Sequence, residues 1–240
     1  MKNHIFSRYL QLLTIALLMA MAIPALVHAQ DFEGEITLRI NFPAMGAQQL
    51  DILYSVKGDK LLQSADDPQA GKVNVYNDLK AGSQVIVQLA QKRGTMIDQH
   101  MIDSLSKMMK LPALIPKATG KKEKIGVYNC ELYVLNLDST QEMDIWLTKD
   151  MPKDVSQAIK KCTDAGMRST GMQSTELLGL LDKGYAQVKM EVKVSGVMQM
   201  TNIFVKAEPK KLADALFVVP SDVTVTKFDP AMMGGGAPGQ

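Results

Sequence analysis

The feature of this sequence that most constrains its fold is an alternation of apolar and polar residues with a period of two, repeated in many segments separated by short turns. Phe32 to Asn41 sets Ile36, Leu38 and Ile40 on one face and Glu35, Thr37 and Arg39 on the other, the pattern of a strand with one buried face. Ile52 to Lys57 repeats it, Gly58-Asp59 makes a turn, and Lys60 to Gln63 returns as a partner strand. Lys72 to Tyr76 and Gln84 to Leu89 alternate around Asn77, Asp78 and Ala81-Gly82. After a charged loop at Lys117 to Lys124, Ile125 to Leu137 and Glu142 to Thr148 read as two long strands joined by Asp138-Ser139-Thr140. Gln187 to Val194 turns at Ser195-Gly196 into Val197 to Lys206, the clearest hairpin in the chain. Ala215 to Val219 is a short apolar segment, and Val223 to Phe228 is a candidate edge strand.

Strands of this kind require an antiparallel sheet with one face covered. Helical spacing occurs in three short stretches. Between Gly94 and Pro116 the period changes, and Met101, Leu105, Met108 and Met109 follow a helical interval over Asp103 to Lys110. Asp150 and Pro152 open a second helix that runs to about Asp164 and stops at Gly166, and Ser174 caps a third from Thr175 to Asp182, stopped by Gly184. These helices are too few and too short to cover both faces of a sheet. The expected fold class is mainly β (α+β): a curved antiparallel sheet of about eight to eleven strands, forming an unclosed β-barrel around a few short helices and enclosing an apolar concavity.

The two ends of the chain read differently from this body. Lys2 and Arg8 precede an apolar stretch, Leu12 to Ile23, then Pro24 and Val27-His28-Ala29, the order of a cleavable export signal rather than a membrane span. Residues 1–29 are therefore expected to be removed, leaving a mature start at Gln30, one domain over 30–229, and a disordered Met/Gly tail over 230–240. Export places the protein in the periplasm or outside the cell. Loss of Lys2 and Arg8 leaves basic and acidic residues equal in number, which speaks against a nucleic-acid partner. The mature chain has no transmembrane segment of membrane-spanning length.

Chemistry is sparse. Cys130 and Cys162 are the only cysteines, and an oxidising compartment permits a disulfide between them, while free burial as small hydrophobes remains the alternative. Two distant cysteines and one mature histidine, His100, offer no metal spacing, and no cofactor motif is present. His100 lies in a polar run and reads as solvated, and no nucleophile elbow accompanies it. Glu131 and Asp144 on adjacent strands are the one carboxylate pair to consider, and outer strand faces carry such residues routinely. Lys121-Lys122-Glu123-Lys124 is a mixed-sign loop. No catalytic residue is assigned, and the chain is expected not to be an enzyme.

The methionine content stands out: of seventeen in the sequence, only Met1, Met19 and Met21 fall in the leader. Thioethers suit irregular apolar surfaces that adapt to varied guests, and equally fill gaps in an ordinary core. If the concavity is open, its wall candidates are Met143, Ile145, Leu147, Met190, Val192, Met198, Met200 and Phe204. The helix Thr175 to Asp182, with Leu177, Leu178 and Leu181 on its apolar side and Gly171 and Gly184 beyond its ends, is the lid candidate.

Several runs carry a resemblance: Phe32-Glu33-Gly34-Glu35-Ile36, Val56-Lys57-Gly58-Asp59-Lys60, Thr119 through Cys130, Met143 through Asp150, and the closing Ala215-Leu216-Phe217-Val218-Val219-Pro220. Together they resemble an exported bacterial family catalogued as a domain of unknown function, similar in fold to the lipoprotein carriers LolA and LolB. Those are unclosed β-barrels whose helices plug an apolar cavity. Where that family tends to place Arg or Lys after the Gly-Asp-Lys turn, this chain has Leu61-Leu62-Gln63. The resemblance implies a non-enzymatic protein that binds a lipid, an acyl chain or another apolar ligand, with a lipid or lipoprotein as partner and peripheral contact with the envelope. The alternative is a cell-envelope structural or protein-interaction module whose core is filled by its own side chains.

Overall fold

A computed structural model describes residues 31–46, 48–67, 71–109, 114–169 and 174–228. The expected signal peptide over 1–29 and the expected tail over 230–240 lie outside the described residues. The first six strands, β1 (Gly34–Phe42), β2 (Gln48–Lys57), β3 (Lys60–Asp67), β4 (Gly71–Asp78), β5 (Ser83–Gln88) and β6 (Arg93–Ile97), form an antiparallel meander. Five more, β7 (Lys117–Ile125), β8 (Tyr128–Asn136), β9 (Gln141–Thr148), β10 (Ala186–Val194) and β11 (Val197–Pro209), form a second. The pairing of β1 with β11, from Gly34 opposite Pro209 to Asn41 opposite Thr201, joins the two. The last strand, β12 (Thr224–Lys227), lies parallel beside β6. The result is one twelve-stranded sheet in the order β12-β6-β5-β4-β3-β2-β1-β11-β10-β9-β8-β7.

Helix α1 (Gln99–Met109) connects the two meanders, and α2 (Lys153–Ser169) and α3 (Thr175–Asp182) sit between β9 and β10. Register shifts interrupt four strand pairs: at Thr37/Leu38, Val192/Lys193, Gln187/Lys189 and Ala118/Lys122. Such bulges bend a strand and increase its twist, so a sheet of this width curls instead of lying flat. Its edges, β7 and β12, do not pair with each other among the described residues, and the barrel is unclosed.

Three apolar clusters follow from this curvature. In the first, Val155, Ala158, Ile159 and Cys162 of α2 pack with Ile36, Tyr54, Val56 and Leu61. In the second, Leu177 and Leu181 of α3 pack with Leu135, Ile145 and Leu147. The third joins Leu62, Tyr76 and Val87 to Phe217, Val219 and Val223 of the C-terminal segment. Leu61 and Leu62 therefore face opposite sides of the sheet and both are buried, which accounts for two consecutive leucines where alternation calls for one. The C-terminal segment is held there by Lys57, whose Nζ donates to the Leu212 carbonyl at 2.7 Å and pairs with Asp214 at 3.0 Å.

Several expectations are corrected. The sheet has one strand more than the upper expectation, and the β12–β6 pair is parallel, because the chain crosses from β11 to the far edge before its last strand. Lys117 to Lys124 is a strand, not a loop; its exposed, lysine-rich character is that of a protected sheet edge. Ile125 to Leu137 is not one strand but turns at Gly126, whose φ of +59° suits glycine. α2 continues through Gly166 to Ser169, where Arg168 binds Asp164 and Gln99; a helical glycine costs only about 1 kcal/mol. The Ala215 stretch is a short 3-10 helix, Asp214–Phe217. β6 carries no alternation in its sequence: Gly94 interrupts it, and a Cβ there would lie 3.3 Å from both Val87 and Val225.

Two glycines give opposite expectations. A Cβ on Gly34 would meet the Glu208 carbonyl oxygen at 2.3 Å across the β1–β11 pair. Gly34→Ala is expected to lower unfolding free energy by about 1–3 kcal/mol through overpacking. A Cβ on Gly179 of α3 meets nothing within 4 Å, so Gly179→Ala is expected to raise it by up to about 1 kcal/mol. Urea unfolding of both variants beside the parent checks the pair.

Candidate functional site

Residues directly opposed across strands share a face, and the register defines one apolar face running through both meanders. Gln63 lies opposite Tyr54, Ile52 opposite Leu38, and Ile40 opposite Asn202. Asn202 lies opposite Met190, Met190 opposite Ile145, Val192 opposite both Met200 and Met143, and Met143 opposite Leu135. The helices cover only part of this face. Between it, Leu177 of α3 and the Cys162–Met167 end of α2 there remains a cavity of about 470 Å³, within the size range of small-molecule sites.

Met143, Ile145, Met190, Val192 and Met200 line this cavity, whereas Leu147, Met198 and Phe204 do not. Each of the three has a physical reason. The bulge at Val192/Lys193 moves Met198 opposite Lys193, onto the charged side of the sheet. Leu147 is two residues beyond Ile145 and is buried in the cluster with Leu177 and Leu181. Phe204 stacks edge-on against Tyr128, with centroids 6.1 Å apart. The wall also includes residues that were not singled out, among them Leu38, Ile40, Ile52 and Tyr54 from the first meander and Leu135 and Leu137 from β8 and the residue after it. Alternation marked the β1 and β2 residues as inward, but only the β1–β11 pairing puts them beside the methionines. Nothing in the sequence marked the cavity amides Gln63, Gln187 and Asn202.

Of the lid candidates, Leu177 lines the cavity, Leu181 is wholly buried and Leu178 is partly buried against the same cluster. α3 is tied at both ends. Buried Ser174 accepts from the Leu177 N–H, capping the helix, and donates to the Leu114 carbonyl. Asp182 pairs with Lys160 of α2. Gly184 has a φ of +87°, a position glycine takes at little cost; Gly171 lies outside the described residues.

Charge is segregated. Glu142, Asp144, Lys189, Glu191 and Lys193 occupy the face opposite the cavity, where Lys193 pairs with Asp144 at 2.5 Å and Glu142 at 3.3 Å and Lys189 pairs with Glu191. Glu131 is opposite Leu147 while Asp144 is opposite Val134, so the two carboxylates lie on different faces of the sheet and cannot flank one bond. His100 is exposed at the start of α1. Lys121 lies over the Trp146 ring at 5.0 Å, a cation–π contact. A second, polar recess of about 520 Å³ lies beside β7, lined by Lys122, Lys124 and Lys149 together with Glu123, Glu131 and Asp150. No cluster of potential metal ligands occurs among the described residues, and none of their helices is long and apolar enough to cross a membrane.

Cys130 and Cys162 are both free and buried, in the same apolar cluster. Burial pushes both thiols above their ordinary value, and it does the same to the Tyr54 hydroxyl.

Comparison with known proteins places these features in context. A family model described as a domain of unknown function, DUF4412, matches residues 32–223. No curated protein matches the chain. Among solved structures, the crystal structure of an uncharacterized conserved protein from Thermus thermophilus superposes with a TM-score of 0.52 at 7% identity, over 83% of this chain and 93% of that one. At that identity the likeness is one of fold alone.

The thiols supply a test. Both should resist a thiol-specific reagent in the native protein and react fully, without prior reduction, once it is unfolded. Since ionisation is disfavoured in the folded state, their contribution to stability is complete below the unfolded thiol pKa of about 8.5 and falls as pH rises above it. Reagent titration with and without denaturant, and melting temperature against pH, check both.

Proposed function

The chain belongs to this family of domains of unknown function (DUF4412), and we propose that it is an exported, non-enzymatic protein that binds a lipid, an acyl chain or another apolar ligand inside its unclosed barrel. The observation that carries this reading is the cavity of about 470 Å³, walled by Leu38, Ile52, Ile145, Met190 and Val192 and roofed in part by Leu177. Binding is driven by removing apolar ligand surface from water, about 25 cal/mol per Å², less the cost of ordering the ligand. Methionines in the wall adapt to guests of different shape. α3, tied by Ser174 and Asp182, is the element that moves to admit a ligand. Open volume favours this role over that of an envelope module with a self-filled core. Export rests on the leader pattern in 1–29, and it makes a lipid or lipoprotein of the cell envelope the natural partner, met by peripheral contact.

Protein purified from its own envelope should carry an extractable apolar molecule, and the emptied protein should bind the neutral dye Nile red in a saturable way. Met190→Trp, which fills the cavity from one wall, should abolish dye binding while leaving the melting temperature within a few degrees. Saturable binding that survives this substitution would place the guest elsewhere. The exported form should begin at Gln30, which mass measurement of the periplasmic fraction checks.

A further inference from the structure

We infer that the cavity selects guests whose buried polar group is uncharged, such as an alcohol, an ester or an amide on an alkyl chain, over a fatty-acid carboxylate or a long-chain ammonium. This rests on the binding role proposed above and narrows it to a ligand class. The polar side chains that line the cavity among the described residues are Gln63, Gln141, Thr163, Gln187 and Asn202, apart from the Tyr54 hydroxyl and the Cys162 thiol, both kept neutral by burial. No Asp, Glu, Lys, Arg or His is among the described lining residues.

The register explains the absence. Lys189, Glu191 and Lys193 alternate with Met190 and Val192 along β10, so every charge there points away from the cavity, and Asp144 does the same between Met143 and Ile145 on β9. Amides stand at both ends of these strands. Gln141 opposes Val194 at one end of the β9–β10 pair, and Gln187 opposes Leu147 at the other. Whichever end receives a head group, it meets an amide able to donate and accept hydrogen bonds, and no charged side chain is among the described residues that line the cavity. An ionised group drawn inward from the exposed Gln141 or the half-buried Gln187 toward the apolar wall loses hydration with no charged partner among the described lining residues, whereas a hydroxyl or ester loses little. The buried amide oxygen of Asn202, which accepts no hydrogen bond, adds an acceptor to the same wall.

The test is displacement of Nile red by decanol, methyl decanoate and decanoate at mildly alkaline pH. The alcohol and the ester are expected to bind at least about tenfold more tightly than the acid. A cation placed at the end that receives the head group should close that gap by strengthening the acid relative to the alcohol, so the acid-to-alcohol ratio, which cancels any change common to both ligands, is measured again in Gln141→Lys and Gln187→Lys. Equal or tighter binding of the acid by the parent, or a ratio left unchanged by both lysine variants, overturns the charge selectivity and leaves the apolar binding role standing. Failure of all three chains to displace the dye removes both.

Discussion

The structure depends on the pairing of its first strand with its eleventh. β2 to β6 and β7 to β10 hang on opposite sides of the β1–β11 seam, and each half is assembled from neighbours in sequence. The seam itself closes a loop of most of the chain, from Gly34 to Pro209. Such a long-range contact is costly in chain entropy and slow to form, and it is held by close backbone approach at Gly34 and by a bulge at Thr37/Leu38. Without it Leu38 and Ile52 would never share a cavity with Met190 and Ile145.

A second constraint follows from how little helix the chain provides. Two helices, α2 and α3, cover part of the concave face, and each builds its own apolar cluster; the C-terminal segment covers part of the opposite face through Phe217 and Val223. Between the two clusters remains the space of about 470 Å³ lined from both meanders, while Leu147 and Phe204 point toward neighbouring packing instead.

How far the candidate site could be read from sequence depended on the regularity of each strand. Met143 and Ile145, and Met190 and Val192, follow unbroken alternation, and they line the cavity. Met198 obeyed the same rule on paper, but one extra residue in β11 turned it toward Lys193; a slip of one residue exchanges the faces, and nothing local announced the bulge. Phe204 and Leu147 have apolar character that is satisfied by Tyr128 and by Leu181, which is a matter of neighbours distant in sequence. For the two cysteines the sequence left a disulfide and free burial as alternatives, and both lie buried in one cluster as free cysteines.

Local pattern by itself determined the class of the fold, the turns at Gly58-Asp59, Asp138-Ser139-Thr140 and Ser195-Gly196 with the strands beside them, and the helix over Thr175–Asp182, because two-residue alternation, turn residues and the Ser174 cap act between near neighbours. It also determined that Lys189, Glu191 and Lys193 would lie on the face opposite Met190 and Val192, since they alternate along one strand. Tertiary structure alone decided which strands meet at the seam, that Lys117 to Ile125 would serve as an edge strand, that β12 would run parallel to β6, and that Gln141 and Gln187 would stand at opposite ends of the β9–β10 wall of the cavity. Those outcomes rest on pairings between segments far apart in the chain, whose energies depend on the whole curved sheet and leave no periodic trace in any one stretch.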